Sequence, residues 1–162
     1  MNSHTTFSDS SANPRKILTA MSNPNEAFKP VTPETIEVGH RNRRQTLGNA
    51  YVDQSITAAG EDEFMRPLQD AVTGLAWGAV WGRPGLSLKN RSLVTVSVLV
   101  ATGRRHEIKL HINGLLNNGW TVTELQEILL QCACYCGMPA AVDGFRIARE
   151  VLAERAKVDS KS

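Results

Sequence analysis

Glu107 and His111 stand four residues apart in the stretch RRHEIKLH. On a helix that spacing puts both on one face, one turn apart, where a carboxylate can orient or charge an imidazole that exchanges a proton near neutral pH. An ordinary structural helix pair has the same spacing, so the two readings stand side by side. His106 does not add a metal site. The zincin pattern needs histidines four apart, and these are five apart and diverge around the helix.

Trp77 and Trp81 repeat the four-residue spacing in LAWGAVWGRPGL and could wall an apolar pocket, with Arg83 beyond them offering a planar donor fork to a carboxylate. The plain alternative is that both tryptophans are core. Cys132, Cys134 and Cys136 in QCACYCG match neither a disulfide framework nor a paired zinc motif, and read as free thiols in a reducing compartment. Cys132 and Cys136 share a helix face, but at the end of the helix, where its dipole does not favour a thiolate, so packing is their expected role. Tyr135 sits beside the Gly137-Met138-Pro139 turn, which could present its phenol to a cleft.

Helices must position these groups. Leu47, Tyr51 and Ile56 begin an apolar helical pattern. The segment EDEFMRPLQDAVTGLAWGAVW continues it with Phe64, Leu68, Val72, Leu75 and Trp77 at spacings of two to four and acidic residues in its first turn. Arg83-Pro84-Gly85 ends that run. SLVTVSVLVATG is ambiguous, because its β-branched residues favour a strand and its length and surroundings a buried helix. Ile108, His111, Ile112 and Leu115 share the next face, and the small Gly114 leaves His111 room to open into a cavity. Asn118-Gly119 closes that helix. Thr121 or Thr123 caps its successor, which turns Leu125, Ile128, Leu129 and Cys132 inward. A last helix from about residue 140 to 156 buries Phe145, Ala148, Val151 and Leu152. About six helices with short turns predict an all-α domain.

The chain has 162 residues, 41% of them hydrophobic, enough for one domain with its own core. Residues 1–38, rich in Ser, Thr, Asn and Pro, read as a flexible arm in which Met21 offers an alternative start; 39–156 form the domain and 157–162 a disordered tail. A formal charge of +2 without a basic run gives no reason to expect nucleic acid. The longest apolar run is too short to span a bilayer, and the first residues lack a secretory pattern, so a cytoplasmic protein is expected.

Read in order, RNRRQTLGNAYVDQS, LAWGAVWGRPGL, the long stretch from KNRSLVT to EILLQ, and YCGMPAAVDGFRIA resemble the carboxymuconolactone decarboxylase family over about residues 40 to 153. The resemblance looks closer to the γ-carboxymuconolactone decarboxylases than to the wider superfamily. It implies an alkyl hydroperoxidase D-like all-α fold assembled as a homo-oligomer, a hexameric ring or a trimer, and it makes SLVTVSVLVATG a helix. It also implies catalytic roles for His111 and Glu107, and substrate binding by Trp77, Trp81, Arg83, Arg91 and Tyr135. Ala79, where an acidic residue is common, and Val142, where a polar one is, depart from the family pattern.

No metal or cofactor motif is present, and the implied chemistry needs none. In γ-carboxymuconolactone the departing carboxylate sits on the γ-carbon of an unsaturated lactone, which accepts the electrons onto its carbonyl oxygen. An arginine would hold a carboxylate, the tryptophans exclude water, and His111 protonate the ring carbon with Glu107 setting its charge. The alternatives are a family relative acting on another unsaturated lactone or a polyketide-like ring carboxylate, and, further off, a thiol-dependent peroxidase or a non-catalytic assembly protein.

Overall fold

A computed structural model describes residues 31–160, all of whose regular elements are helical. They are α1 (Pro33–Leu47), α2 (Asn49–Gly60), α3 (Arg66–Asp70), a π-helical segment (Ala71–Val80), α4 (Leu88–Thr102), α5 (Arg105–Asn117), α6 (Val122–Cys136) and α7 (Met138–Asp159). The all-α expectation holds, and SLVTVSVLVATG is helical, as the family resemblance implied. Its β-branched residues are tolerated because α4 packs against α5, α6 and α7, and tertiary burial outweighs a weak propensity.

Helix boundaries follow local chemistry. Thr32 and Thr35 form a reciprocal capping arrangement and Pro33 opens α1, so the helix starts within the stretch expected to be a flexible arm. The rest of that arm, residues 1–30, lies outside the described residues. Gly48, at φ 87°, splits what read as one continuing pattern into α1 and α2. Thr121 caps α6 in a box with Glu124. Gly137, at φ 90°, ends α6, and α7 then begins at Met138 and runs to Asp159, longer at both ends than expected.

Two apolar clusters organise these elements. Val96, Val100, Ile108, Ile112, Leu115, Leu125, Ile128, Leu129, Ile147 and Val151 fill the space among α4 to α7. The faces read from periodicity for α5, α6 and α7 are therefore the buried ones. A smaller cluster joins Leu47, Val52 and Trp77, with Tyr51, Trp81 and Leu110 against it, and holds α1, α2 and the π-helical segment onto α5. The asparagines at the C-terminal end of α5 connect the two regions. Asn118 Nδ2 donates to Ser92 Oγ at 2.7 Å and Thr46 Oγ1 at 3.1 Å, and Asn117 Nδ2 to the Thr46 carbonyl at 2.9 Å.

The segment before Trp77 departs from its expected form. Asp62 accepts the Phe64 backbone N–H at 2.9 Å and holds a turn there, so the helix begins only at Arg66 and the acidic residues precede it. Phe64 is 88% exposed, and Leu68 and Leu75 also face outward. Beyond Asp70 the helix widens to the π form. The Trp81 N–H donates to the Ala76 carbonyl at 2.8 Å, five residues back, which frees the Trp77 carbonyl to accept Asn42 Nδ2 at 3.0 Å. Helix α1 lies so close that a Cβ on Gly78 would collide with the Thr35 carbonyl and one on Gly39 with the Thr73 carbonyl.

Gly78→Ala is expected to destabilise the fold by about 3 kcal/mol or more, since backbone meets backbone and neither side can yield by rotamer change. Gly85→Ala, with open space around the added methyl, serves as the near-neutral control. Urea unfolding of the two variants measures the difference.

Candidate functional site

The π-helical turn and α5 bring three rings together. Trp77 and Trp81 have centroids 4.2 Å apart, tilted at 44°, because the wider turn nearly superimposes residues four apart. His111 stacks on Trp77, its ring 5.9 Å away and within 5° of parallel, and lies 6.4 Å from Trp81. Three of the residues singled out in the sequence thus form one group, and the tryptophans act both as core and as a wall for the imidazole. Gly114 plays a different part from the one expected. A Cβ there would lie 2.7 Å from Thr46 Cγ2, so its smallness lets α1 approach α5 and does not open a cavity beside His111.

Burial sets the charge of His111. Loss of hydration lowers its pKa from 6.5 to about 4, and the nearby negative charge of Glu107 opposes the shift only in part. The imidazole is therefore neutral near pH 7, and its buried Nδ1 meets no hydrogen-bond partner among the described residues. Glu107 itself is exposed in the first turn of α5, so it acts on His111 through charge across one helical turn.

The remaining residues of the expected pocket are placed less directly. Arg91 donates from Nε to the Leu86 carbonyl at 3.1 Å and from Nη2 to the Arg83 carbonyl at 3.0 Å, so its fork shapes the loop after Trp81. Burial, with Arg83 close by, pushes its pKa below the usual value. Arg83 is exposed on that loop. Tyr135 is 81% exposed near the end of α6, and no contact joins it to the three rings within the described part of one chain. Ala79 is buried in the π-helical segment, whereas Val142 lies exposed on α7. The three cysteines are free, and burial raises the Cys132 thiol pKa, which disfavours a thiolate.

Sequence reasoning passed over α1. Its buried face is Thr35, Gly39, Asn42, Arg43, Thr46 and Leu47, a stripe at helical spacing that is mostly small or polar and so gives no hydrophobic signal. Asn42 secures the π-helical turn, and Arg43 is buried with it. His40, on the same helix, is held below its usual pKa by burial and by Arg44 and Arg43.

The depressed His111 pKa has a consequence for folding. The unfolded chain takes up a proton below about pH 6.5 while the folded chain does not until about pH 4, so stability falls as the pH drops through that window. The loss should approach about 3 kcal/mol, at about 1.4 kcal/mol per pH unit. His111→Gln should remove that part of the slope, as read from urea unfolding at a series of pH values across the window.

Comparison with known proteins identifies the family. Residues 66–150, which contain the rings and the loop, match the model of the carboxymuconolactone decarboxylase family. The chain is 40% identical over 109 residues to a 4-carboxymuconolactone decarboxylase of Acinetobacter baylyi, covering 67% of this chain and 80% of that protein. It is 37% identical over 114 residues to a nitrosuccinic acid decarboxylase of Metarhizium robertsii, covering 70% and 78%. With a family model matched over more than half of its length and 40% identity to a relative over two thirds of it, this chain belongs to the carboxymuconolactone decarboxylase family.

Proposed function

We propose that the protein is a carboxy-lyase that converts γ-carboxymuconolactone, also numbered 4-carboxymuconolactone, to the enol-lactone of β-ketoadipate without a cofactor. The observation that carries this reading is His111 stacked on Trp77 beside Trp81, a single titratable ring against an apolar wall. Similarity to a 4-carboxymuconolactone decarboxylase supports the choice of substrate.

The chemistry asks little of the protein. Breaking the bond from the γ-carbon to the departing carboxylate releases carbon dioxide, and the electron pair moves through the ring double bond onto the lactone carbonyl oxygen. The resulting dienolate takes a proton at the carbon α to the carbonyl. The tryptophans keep water from the departing carboxylate, which favours the uncharged product. His111 delivers the proton, and for that it must be charged, whereas burial by itself keeps it neutral. A dianionic substrate beside the ring resolves this by favouring the imidazolium, so the donor is charged by the molecule it serves.

A second reading has a specific observation behind it. The nitrosuccinic acid decarboxylase is similar over much the same length, and a nitro group can take up electrons as the lactone carbonyl does. Both substrates are dicarboxylic acids with a built-in electron sink, so this protein could act on another such acid. Release of carbon dioxide from each, measured side by side, discriminates between them. The family's oligomeric habit is proposed for this chain as well. Val94 and Val98 on α4, Leu130 and Tyr135 on α6, and Met138 and Val142 on α7 are all exposed, an apolar surface suited to a second copy. A cytoplasmic location fits a catabolic enzyme, and no helix among the described residues is long and apolar enough to cross a membrane.

Purified protein should release carbon dioxide from γ-carboxymuconolactone, and His111→Gln should lose it by about 100-fold or more, the scale of a removed general acid. Because Glu107 favours the charged imidazole, Glu107→Gln should move the alkaline limb of the kcat profile to lower pH. Wild-type turnover in the double variant would overturn these roles. Sedimentation should show an assembly, and a monomer would remove the oligomer from the reading.

A further inference from the structure

Arg43 is only 4% exposed, yet no carboxylate faces it among the described residues. Its Nη2 donates to Ser55 Oγ at 2.9 Å, its Nη1 makes a long 3.5 Å contact to Thr73 Oγ1, and the Tyr51 phenol lies beside it. Its Nε is buried without an acceptor. Ser55 in turn donates to Gln69 Oε1 at 3.5 Å, and Gln69 Nε2 is likewise buried without an acceptor. The cluster is rich in donors and short of an anion. A guanidinium stays protonated even when buried, and a buried charge is normally paired, so the missing partner is the notable feature.

Its position ties it to the rings. Arg43 meets the π-helical segment at Thr73, four residues and about one turn before Trp77, and its neighbour Asn42 bonds the Trp77 carbonyl. Tyr51 packs into the same cluster as Trp77, Trp81 and Leu110. By contrast, the Arg91 fork is committed to loop carbonyls and Arg83 is exposed.

Resting on the dicarboxylate reading above, we propose that Arg43, helped by Gln69, binds the carboxylate that the substrate keeps and so directs the other carboxylate against Trp77 and Trp81, where it is lost. The two carboxylates of this small substrate, one on the ring carbon and one on its side arm, need opposite surroundings. The retained one needs a paired cation, and the departing one a dry apolar wall. Arg43 on α1 and the tryptophans on the π-helical segment provide these from two packed elements, and the choice of which carboxylate leaves follows from the orientation.

The test uses muconolactone, which has the retained carboxylate and none to lose, and its methyl ester, with binding followed by calorimetry on the full chain. Wild type should bind the acid at least about 10-fold more tightly than the ester, and Arg43→Gln should bind the two alike. Arg43→Lys, which keeps the charge but not the fork, should fall between them and serves if the glutamine variant fails to fold. Equal binding of acid and ester by wild type, or undiminished discrimination in a folded Arg43→Gln, would overturn the proposal. Decarboxylation is scored separately. Carbon dioxide release with an unchanged KM in Arg43→Gln would remove Arg43 and leave the decarboxylase. Discrimination by wild type without carbon dioxide release would leave the carboxylate site and remove the decarboxylase.

Discussion

The close crossing of α1 and the π-helical segment is the constraint from which the rest of the site follows. Gly39 and Gly78 let the two backbones meet where any side chain would collide. At that distance Asn42 reaches the Trp77 carbonyl, which the widened turn has released from its own ladder. The π-helix would leave an unpaired carbonyl if it stood alone, and the amide supplies the missing bond. In exchange the wide turn stacks Trp77 near Trp81 and directs both at α5. Close packing, the turn and the aromatic wall form one unit.

A second consequence is electrostatic. Packing His111 among the indole rings removes water from the imidazole and leaves its Nδ1 without a partner among the described residues, and its proton affinity drops. Glu107 compensates only weakly, since an exposed carboxylate is screened by solvent. The imidazole is therefore neutral near pH 7, a state that the proposed dianionic substrate would reverse at the expense of its binding energy. Folding stability is given up at low pH to maintain that state.

The four-helix half of the molecule was readable from periodicity. Ile108, Ile112 and Leu115, then Leu125, Ile128 and Leu129, repeat at helical spacing and are buried as that spacing requires. Thr121 and Gly119 mark helix ends by chemistry that depends on few neighbours. The other half was harder. Phe64 and Leu68 fit a helical stripe but are exposed: Phe64 sits in the Asp62 turn before the helix begins, and Leu68 lies on the outward face of that short helix. Arg43 could not be distinguished from Arg41 and Arg44 in RNRRQ, since burial of a cation depends on what lies across the interface.

The sequence by itself determined the all-helical class, the inward faces of α5 to α7, and the types of group available for proton transfer and carboxylate binding, because these depend on side-chain chemistry and spacing along one helix. Only the tertiary structure decided that Trp77, Trp81 and His111 meet and that Arg43 is buried with no counter-charge among the described residues. Those outcomes depend on distances between segments far apart in the chain, and on a helix whose turn was widened by its neighbour.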